Sequence, residues 1–562
     1  MSVLSPPLLY LVAACLCPFL PSLWRAALLL GIPVAGLLSL LAYDPGLHEI
    51  VRVAGFELVF VRVDGLSRIF AIIFSIAAFL SGLYAWHVRD TVQQVATLGY
   101  AGSAIGGVLA GDLVTLFIWW EVTAITSVGL IWARRTPAAT ATGMRYLIVQ
   151  VLSGVLLLAG LLLHYRDTGS IAFDHLGLVS PATALILLAF GIKCAFPLLH
   201  NWLQDAYPAA TVTGTVVLSA FTTKMAVYAL ARGYAGTEIL VWIGAIMTLF
   251  PIFFAEIEND LRRVLAYSLN NQLGFMVVGV GVGTELALNG TAAHAFCHIL
   301  YKALLFMSVG AVLFRTGTSK ASELGGLYRT MPVTAACCLV GAASISAFPL
   351  FSGFVSKSLI LSAASYEGHY LVWFALLIAS AGVLSHSGIK VPYFAFFAED
   401  SGKRPAEAPG HMRAAMILTA FGCVFIGMFP DALYAMLPYA VDYHAYTWAH
   451  VLTQMQLLCF ALLAFVFLMR SGLHPPEVRA INVDSDVVYR KWIPSVLPGL
   501  VDGIARANRA VRGALLGVLS GGVGAIARVS RPGQVLARGW SVQSMMLVVM
   551  VVMAVVLAAN LF

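Results

Sequence analysis

Residues 294–310 read HAFCHILYKALLFMSVG, an apolar run interrupted by three groups that exchange protons. His294, His298 and Lys302 stand four residues apart. At about 1.5 Å rise per residue, that spacing stacks all three on one helix face, roughly 6 Å from each to the next. Imidazoles and an amine in such a row suit acid–base chemistry, each group handing a proton to its neighbour.

Other ionisable groups lie equally deep in apolar sequence: Glu121 in LFIWWEVTAITS, Lys193 in FGIKCAFP, Lys224 in SAFTTKMAVYAL and Lys357 in GFVSKSLI. Lys390, in SHSGIKVPYF, stands near the end of its apolar run, where its long stem reaches a polar boundary. A charge at a bilayer centre costs roughly 3 kcal/mol on insertion scales, so each needs a reason. One acid among several lysines supplies one. A desolvated amine holds its proton weakly and a nearby carboxylate strengthens that hold, so movement of Glu121 relative to Lys193 would switch the lysine. The structural alternatives are a static Glu121–Lys193 ion pair joining two helices, a non-titrating Lys224 in a polar crevice, and histidines satisfied within a core. Other chemistries fit less well. Haem needs a second histidine pair at matched depth, and zinc at His294 and His298 meets a repulsive Lys302 without an HExxH glutamate. Neither a GxxxxGKS phosphate loop nor a nucleophile–base set is present, and no cofactor is expected.

The elements that position these groups follow from composition. Of 562 residues, 60% are hydrophobic and only 10% charged, whereas soluble domains carry about a quarter charged residues. The class is an all-α polytopic membrane protein, with about sixteen apolar runs between 4–21 and 541–562 long enough to span a bilayer. The first run lacks a basic leader and reads as a span instead of a cleaved signal. The formal charge of +7 suits loops facing anionic lipid and not nucleic acid. Cys15, Cys17, Cys194, Cys297, Cys337, Cys338, Cys423 and Cys459 sit in apolar stretches without a CxxC pair and read as small buried residues.

Charge alternates between the connecting segments. One set carries Arg25, Arg89, Arg134, Arg135, Arg262, Arg263, Arg315, Lys320, Arg329, Lys403, Arg404 and Arg413. The other carries Asp112, Asp167, Asp174, Glu285, Glu367, Asp431 and Asp442, with few basic residues (Arg52, Arg62, Arg166 and Arg232). The basic set faces the cytoplasm by the positive-inside rule, which places the N-terminus outside. Residues 471–540 differ, with Arg479, Arg490, Lys491, Arg506, Arg509, Arg512, Arg528, Arg531 and Arg538 against four acids. Ile504, Val511, Leu515 and Val518 share one face there, as in a basic amphipathic helix on a membrane surface or a neighbouring protein chain; a solvated linker is the alternative. Two spans carry breaks at the tetrapeptide AFPL, residues 195–198 and 347–350. Matched breaks in two halves point to an inverted-repeat transporter.

Five stretches in order resemble the antiporter-like proton-translocating family, which comprises the large membrane subunits of respiratory complex I and of Mrp-type cation/proton antiporters. They are GDLVTLFIWWEVTAITSVGLIW, HNWLQDAYPAATVTGTVVLSAFTTKMAVYALAR, NDLRRVLAYSLNNQLGFMVVG, HAFCHILYKALLFMSVG and AFPLFSGFVSKSLI. The likeness is strongest to the D-type member of the Mrp subunits, above all in FTTKMAVYALARGYAGTE. It implies two inverted five-helix repeats with broken helices, residues 93–235 and 236–400. Helices 1–92 precede them; 401–470, the surface segment 471–540 and a last span 541–562 follow. It also implies roles: Glu121 and Lys193 as the paired gate, Lys224, His294, His298 and Lys302 as the relay, and Lys357 as the distal lysine. The expected function is that of a proton-translocating subunit in a multisubunit Na+/H+ antiporter of the plasma membrane, a transporter and not an enzyme. Its partners would be other membrane subunits, protons, and Na+ or K+. The C-terminal extension departs from the D-type pattern and is similar to the lateral helix of the largest complex I antiporter-like subunit. A redox-driven complex I-like or membrane hydrogenase module therefore stays open as the parent, as does a plain membrane anchor.

Overall fold

The computed structural model describes residues 5–561 except 474, 476, 479–481, 530 and 532–538. It comprises two compact units, Met1–Asn482 and Val483–Phe562. Helices α1 (Pro6–Leu16) and α2 (Ser22–Leu41) lead into an antiparallel hairpin, β1 (Gly46–Val53) and β2 (Phe56–Val63). The helical class stands with this one addition. Its two-residue turn, Ala54 at φ 51° and Gly55 at φ 87°, has the left-handed geometry that matches strand twist.

Helix α3 (Gly65–Tyr84) starts at a reciprocal cap: Ser67 N donates to Asp64 Oδ1 at 2.9 Å, and Asp64 N donates to Ser67 Oγ at 2.9 Å. Asp64 also accepts both Arg232 Nη2 contacts, at 2.9 and 2.7 Å, and Arg62 Nε at 3.1 Å. Two of the exceptional basic residues on the acidic side are thus neutralised by one carboxylate. Burial pushes the Asp64 carboxyl up, but Arg232, the Ser67 N–H and Arg62 outweigh it and hold the group below its usual range. A depressed carboxylate stabilises the fold above its unfolded value near pH 4, and the contribution disappears as pH falls through the folded value. Asp64→Ala should therefore lower stability by about 2–4 kcal/mol at neutral pH. Thermal unfolding in detergent should show the gap between variant and parent narrowing as pH falls below the unfolded carboxylate value near 4.

Next come two sets of helices with the same plan. The first is α4 (Thr91–Leu109), α5 (Leu113–Trp132), α6 (Pro137–Thr168), the broken pair α7 (Pro181–Lys193) and α8 (Asn201–Ala209), and α9 (Val212–Ala220) continuing into α10 (Thr222–Gly233). The second is α11 (Ile239–Ile257), α12 (Leu261–Val282), α13 (Glu285–Thr316), the broken pair α14 (Pro332–Ile345) and α15 (Ser352–Tyr366), and α16 (Tyr370–Val383), which continues as a π-helix through Lys390. Helices α4 and α11 are both 19 residues long, and α6 and α13 both 32. Asp112 caps α5 and bridges Ala172; Asp260 caps α12 and bridges Lys320. Each set counts five elements when a broken or continued helix is taken as one.

Both breaks have one geometry. Ala195 and Leu198 take φ 61° and 69°, and Ala347 and Leu350 take 57° and 73°, a left-handed region that costs a side-chain-bearing residue about 1 kcal/mol. Phe196 N reaches back to Gly191 O and Phe348 N to Ala343 O, each at 3.0 Å. The proline after each phenylalanine-bearing turn removes the next helical donor, so these bonds close the ends of α7 and α14. Arg262, expected to face the cytoplasm from a loop, is instead 2% exposed. It donates to Tyr207, Pro208, Ala210 and Thr211 carbonyls at 3.0–3.2 Å, clamping the end of α8.

Helices α17 (Gly410–Met428), α18 (Pro430–Tyr434) and α19 (Trp448–Ser471) complete this unit. Eleven helices among the described residues are long and apolar enough to cross a membrane. Ten of them coincide with expected spans, and the eleventh, Arg490–Val529, falls in the segment expected at the membrane surface; the expected sixteen also counted α1, α4, α12, α21 and the two broken helices. Six of the eight cysteines are buried, while Cys15 and Cys459 lie exposed on apolar helices, contrary to the expectation for those two. In the second unit, α20 (Ile493–Val529) is one helix of 37 residues with no buried residue, followed by α21 (Val542–Leu561). Its glycines do not interrupt it. Arg479 and Arg538 lie outside the described residues.

Candidate functional site

Lys193, Lys224, Lys302 and Lys390 are 0% exposed and Lys357 is 1% exposed. Four of these amines donate to a backbone carbonyl. Lys193 Nζ reaches Trp120 O at 2.6 Å, Lys224 reaches Ser219 O at 2.7 Å, Lys357 reaches Ile345 O at 2.7 Å, and Lys390 reaches Glu256 O. Ser219 and Ile345 end interrupted helices, where carbonyls lack their intrahelical partner. Helix breaks therefore supply two of the four acceptors that hold the buried lysines. Two aromatic faces add to this: Lys193 lies 4.4 Å from the Trp120 ring centroid and Lys357 5.1 Å from that of Phe275.

Glu121 follows Trp120 on α5, and its charge and that of Lys193 act on each other. The two do not form a direct ion pair: Lys193 is held by the Trp120 carbonyl, and Glu121 Oε1 is buried without a hydrogen-bond partner among the described protein atoms. The carboxylate rests on the bare backbone of α6. A Cβ at Gly154 would stand 1.4 Å from Glu121 Oε1. Beside it, Ser153 Oγ accepts from Trp120 Nε1 at 2.9 Å and donates to Ala189 O at 2.7 Å, tying α5, α6 and α7 together around the lysine.

The ladder on α13 is fully buried. His294 and His298 ring centroids are 6.2 Å apart, and Tyr301 stands 5.3 Å from His298. His294 Nδ1 lies 3.1 Å from Ser356 Oγ, next to Lys357 on α15, and its Nε2 lies 3.4 Å from Tyr301 OH. Tyr301 OH donates to Gln272 Oε1 at 3.1 Å, and Gln272 donates to Asn271 Oδ1 at 2.6 Å. Both ring nitrogens of His298 and the Lys302 amine have no hydrogen-bond partner among the described protein atoms. The charges of Lys224, Lys302 and Lys357 all act on His298. The charges of Glu121 and Lys193 act on each other, and those of Lys224 and Lys357 act on both ladder histidines.

Lys390 does not extend to the surface as its sequence position allowed. It pairs with Glu477 Oε1 at 2.8 Å, with side-chain exposures of 0% and 8%. Residues overlooked in the sequence fill the spaces between the expected ones: Gln272 and Tyr301 beside the ladder, and His386, whose Nδ1 lies 2.8 Å from Ser387 Oγ. Ser387 in turn donates to Ser268 Oγ on α12 at 2.7 Å. His386 was legible in SHSGIK as a buried titratable group four residues before Lys390. The amide run Asn270, Asn271 and Gln272 was legible as polar sequence inside an apolar helix.

Buried amines and imidazoles set around paired helix breaks define a polytopic membrane protein of the antiporter-like class. Residues 110–383 match the family described as "NADH:quinone oxidoreductase/Mrp antiporter, TM". The A/B component of a probable K(+)/H(+) antiporter from Rhizobium meliloti is 30% identical over 66% of this chain and 40% of that protein. Hydrogenase-4 component B of Escherichia coli is 28% identical over 75% of this chain and 71% of that protein. The D component of a Na(+)/H(+) antiporter from Alkalihalophilus pseudofirmus is 29% identical over 52% of this chain and 63% of that protein. The chain thus spans between two fifths and about two thirds of the two antiporter relatives. One chain in the structure of the Mrp complex from Dietzia sp. shares the fold, with TM-score 0.71 at 21% identity over 83% of this chain and 98% of that one. The chain thus contains a region of the NADH:quinone oxidoreductase/Mrp antiporter membrane family, residues 110–383.

Proposed function

We propose that this chain is the proton-translocating membrane subunit of a multisubunit monovalent cation/proton antiporter. It lies in the plasma membrane with its N-terminus outside and works as a transporter, not as an enzyme by itself. Residues 93–235 and 236–400 form the two working repeats. Glu121 and Lys193 act as the gate, Lys224, His294, His298 and Lys302 as the relay, and Lys357 and Lys390 as the distal groups. The observation that supports this most is the ladder itself. His294, His298 and Lys302 are wholly buried, near Lys224 and Lys357, and extended sideways by Tyr301 and Gln272. Burying so many ionisable groups together costs several kcal/mol each unless they exchange protons or pair.

The test is reconstitution of the intact complex in vesicles with a pH-sensitive dye inside. A Na+ or K+ gradient should drive proton movement, and the copurifying subunits should be small membrane proteins. The similarity to hydrogenase-4 component B, over three quarters of the chain, supports a second reading in which electron transfer in partner proteins drives the same relay. Copurifying iron–sulfur and flavin proteins, without cation-driven flux, would select that reading.

A further inference from the structure

The Lys390–Glu477 pair differs from the Glu121–Lys193 pair, because its acid comes from outside both repeats. Glu477 follows α19, and Asn482 Nδ2 lies 3.4 Å from both Ile257 O and Glu258 Oε2, between α11 and α12. Lys390 is held from two sides there, by Glu256 O and by Glu477 Oε1, the latter at 2.8 Å. Its helix is π-wound from Leu384 to Lys390, a winding frequently found at functional sites. Ser385 Oγ, in that turn, donates to Glu256 Oε1 at 2.9 Å. His386, also in that turn, is buried, with Nε2 unpartnered among the described protein atoms and the charges of Lys302, Lys390 and Lys357 acting on it.

We propose that Glu477 gates a second proton mouth at Lys390, on the membrane face that carries the Arg262–Arg263 connection, linked through His386 to the Lys302–Lys357 centre. This rests on the relay reading above. The chain then has a carboxylate–lysine pair at each end of its buried tract: Glu121 with Lys193, and Glu477 with Lys390. The step is a plain proton transfer. The Lys390 N–H bond breaks with its electron pair left on nitrogen, and an O–H bond forms on Glu477 Oε1. The neutral acid then releases its proton to water at the 8%-exposed side. The neutral amine takes the next proton from the His386 side, and the ion pair reforms. Because Glu477 is attached through a segment outside the repeats, a neighbouring protein in the complex can alter the gate without touching the relay.

The experiment measures cation-dependent proton flux against pH in vesicles holding the intact complex, with Glu477→Gln, Glu477→Asp and Lys193→Ala side by side. Glu477→Gln should lose roughly tenfold or more of the flux, and Glu477→Asp should regain at least half with a displaced pH profile. Parental flux and pH profile in Glu477→Gln, with Lys193→Ala inactive, would overturn this proposal alone. Equal losses in both Glu477 variants with an unaltered pH profile would mark a structural role and overturn it as well. Full flux in Lys193→Ala would instead remove the relay reading beneath it. Should Glu477→Gln not assemble, Glu477→Asp carries the test, since its shorter side chain lengthens the ion pair and unchanged flux and profile would refute the gate.

Discussion

Lys193→Ala is expected to reduce cation-dependent proton flux by about 100-fold or more, the range for losing a positioned proton-transfer group. The amine is fully buried, fastened to Trp120 O at 2.6 Å and set over the Trp120 ring. No other ionisable side chain among the described residues occupies that position between α5 and α7. Alanine removes the carrier and leaves Glu121 without its cation, so the gate has nothing to act on. Lys193→Arg is the informative companion. A guanidinium does not release its proton in a protein, so it preserves the charge while abolishing transfer. Equal inactivity of the two variants would assign the loss to proton exchange, whereas an active arginine variant would assign Lys193 a structural charge. Both are read by dye quenching in vesicles, with assembly checked by copurification.

Gly154→Ala should cost at least roughly tenfold in flux although it adds one methyl group to a helix. That methyl would stand 1.4 Å from Glu121 Oε1 and 2.5 Å from Cδ, so the carboxylate has to move. Alanine favours helix over glycine by about 1 kcal/mol, so the backbone of α6 gains from the change and the loss falls on Glu121 alone. Combining Gly154→Ala with Glu121→Asp shortens the acid by one carbon and should restore part of the flux. A double variant no better than either single one would contradict the assignment of Gly154 as the seat of the carboxylate.

The ladder was legible in the sequence because charge in an oily helix has few innocent explanations, and the 3.6-residue period converts spacing into a shared face. The AFPL repeats were legible because proline cannot continue a helix. What the residues alone did not reveal has two physical causes. Neutral polar groups such as Gln272 and Tyr301 cost less to bury than charges, so they do not stand out, yet they extend the ladder sideways. Long-range closure was the other gap. Glu477 lies in a segment whose overall charge is basic and returns to Lys390, and Arg262 turns from its apparent loop into a carbonyl cage. The β-hairpin escaped notice because its apolar residues, such as Leu58–Val61, continue the surrounding hydrophobic background.

Protons moving hand to hand along the buried tract is the claim on which everything else depends, and Lys302 tests it with the fewest other contacts at stake. Its amine is buried without a hydrogen-bond partner among the described protein atoms, so Lys302→Gln removes no bond that holds the fold. The measurement is cation-driven pH change inside vesicles carrying the intact complex, with Lys302→Gln set against Lys320→Gln, an exposed lysine beyond the end of α13. The relay predicts that Lys302→Gln falls by about 100-fold while Lys320→Gln matches the parent. Full flux through Lys302→Gln in an assembled complex would contradict it.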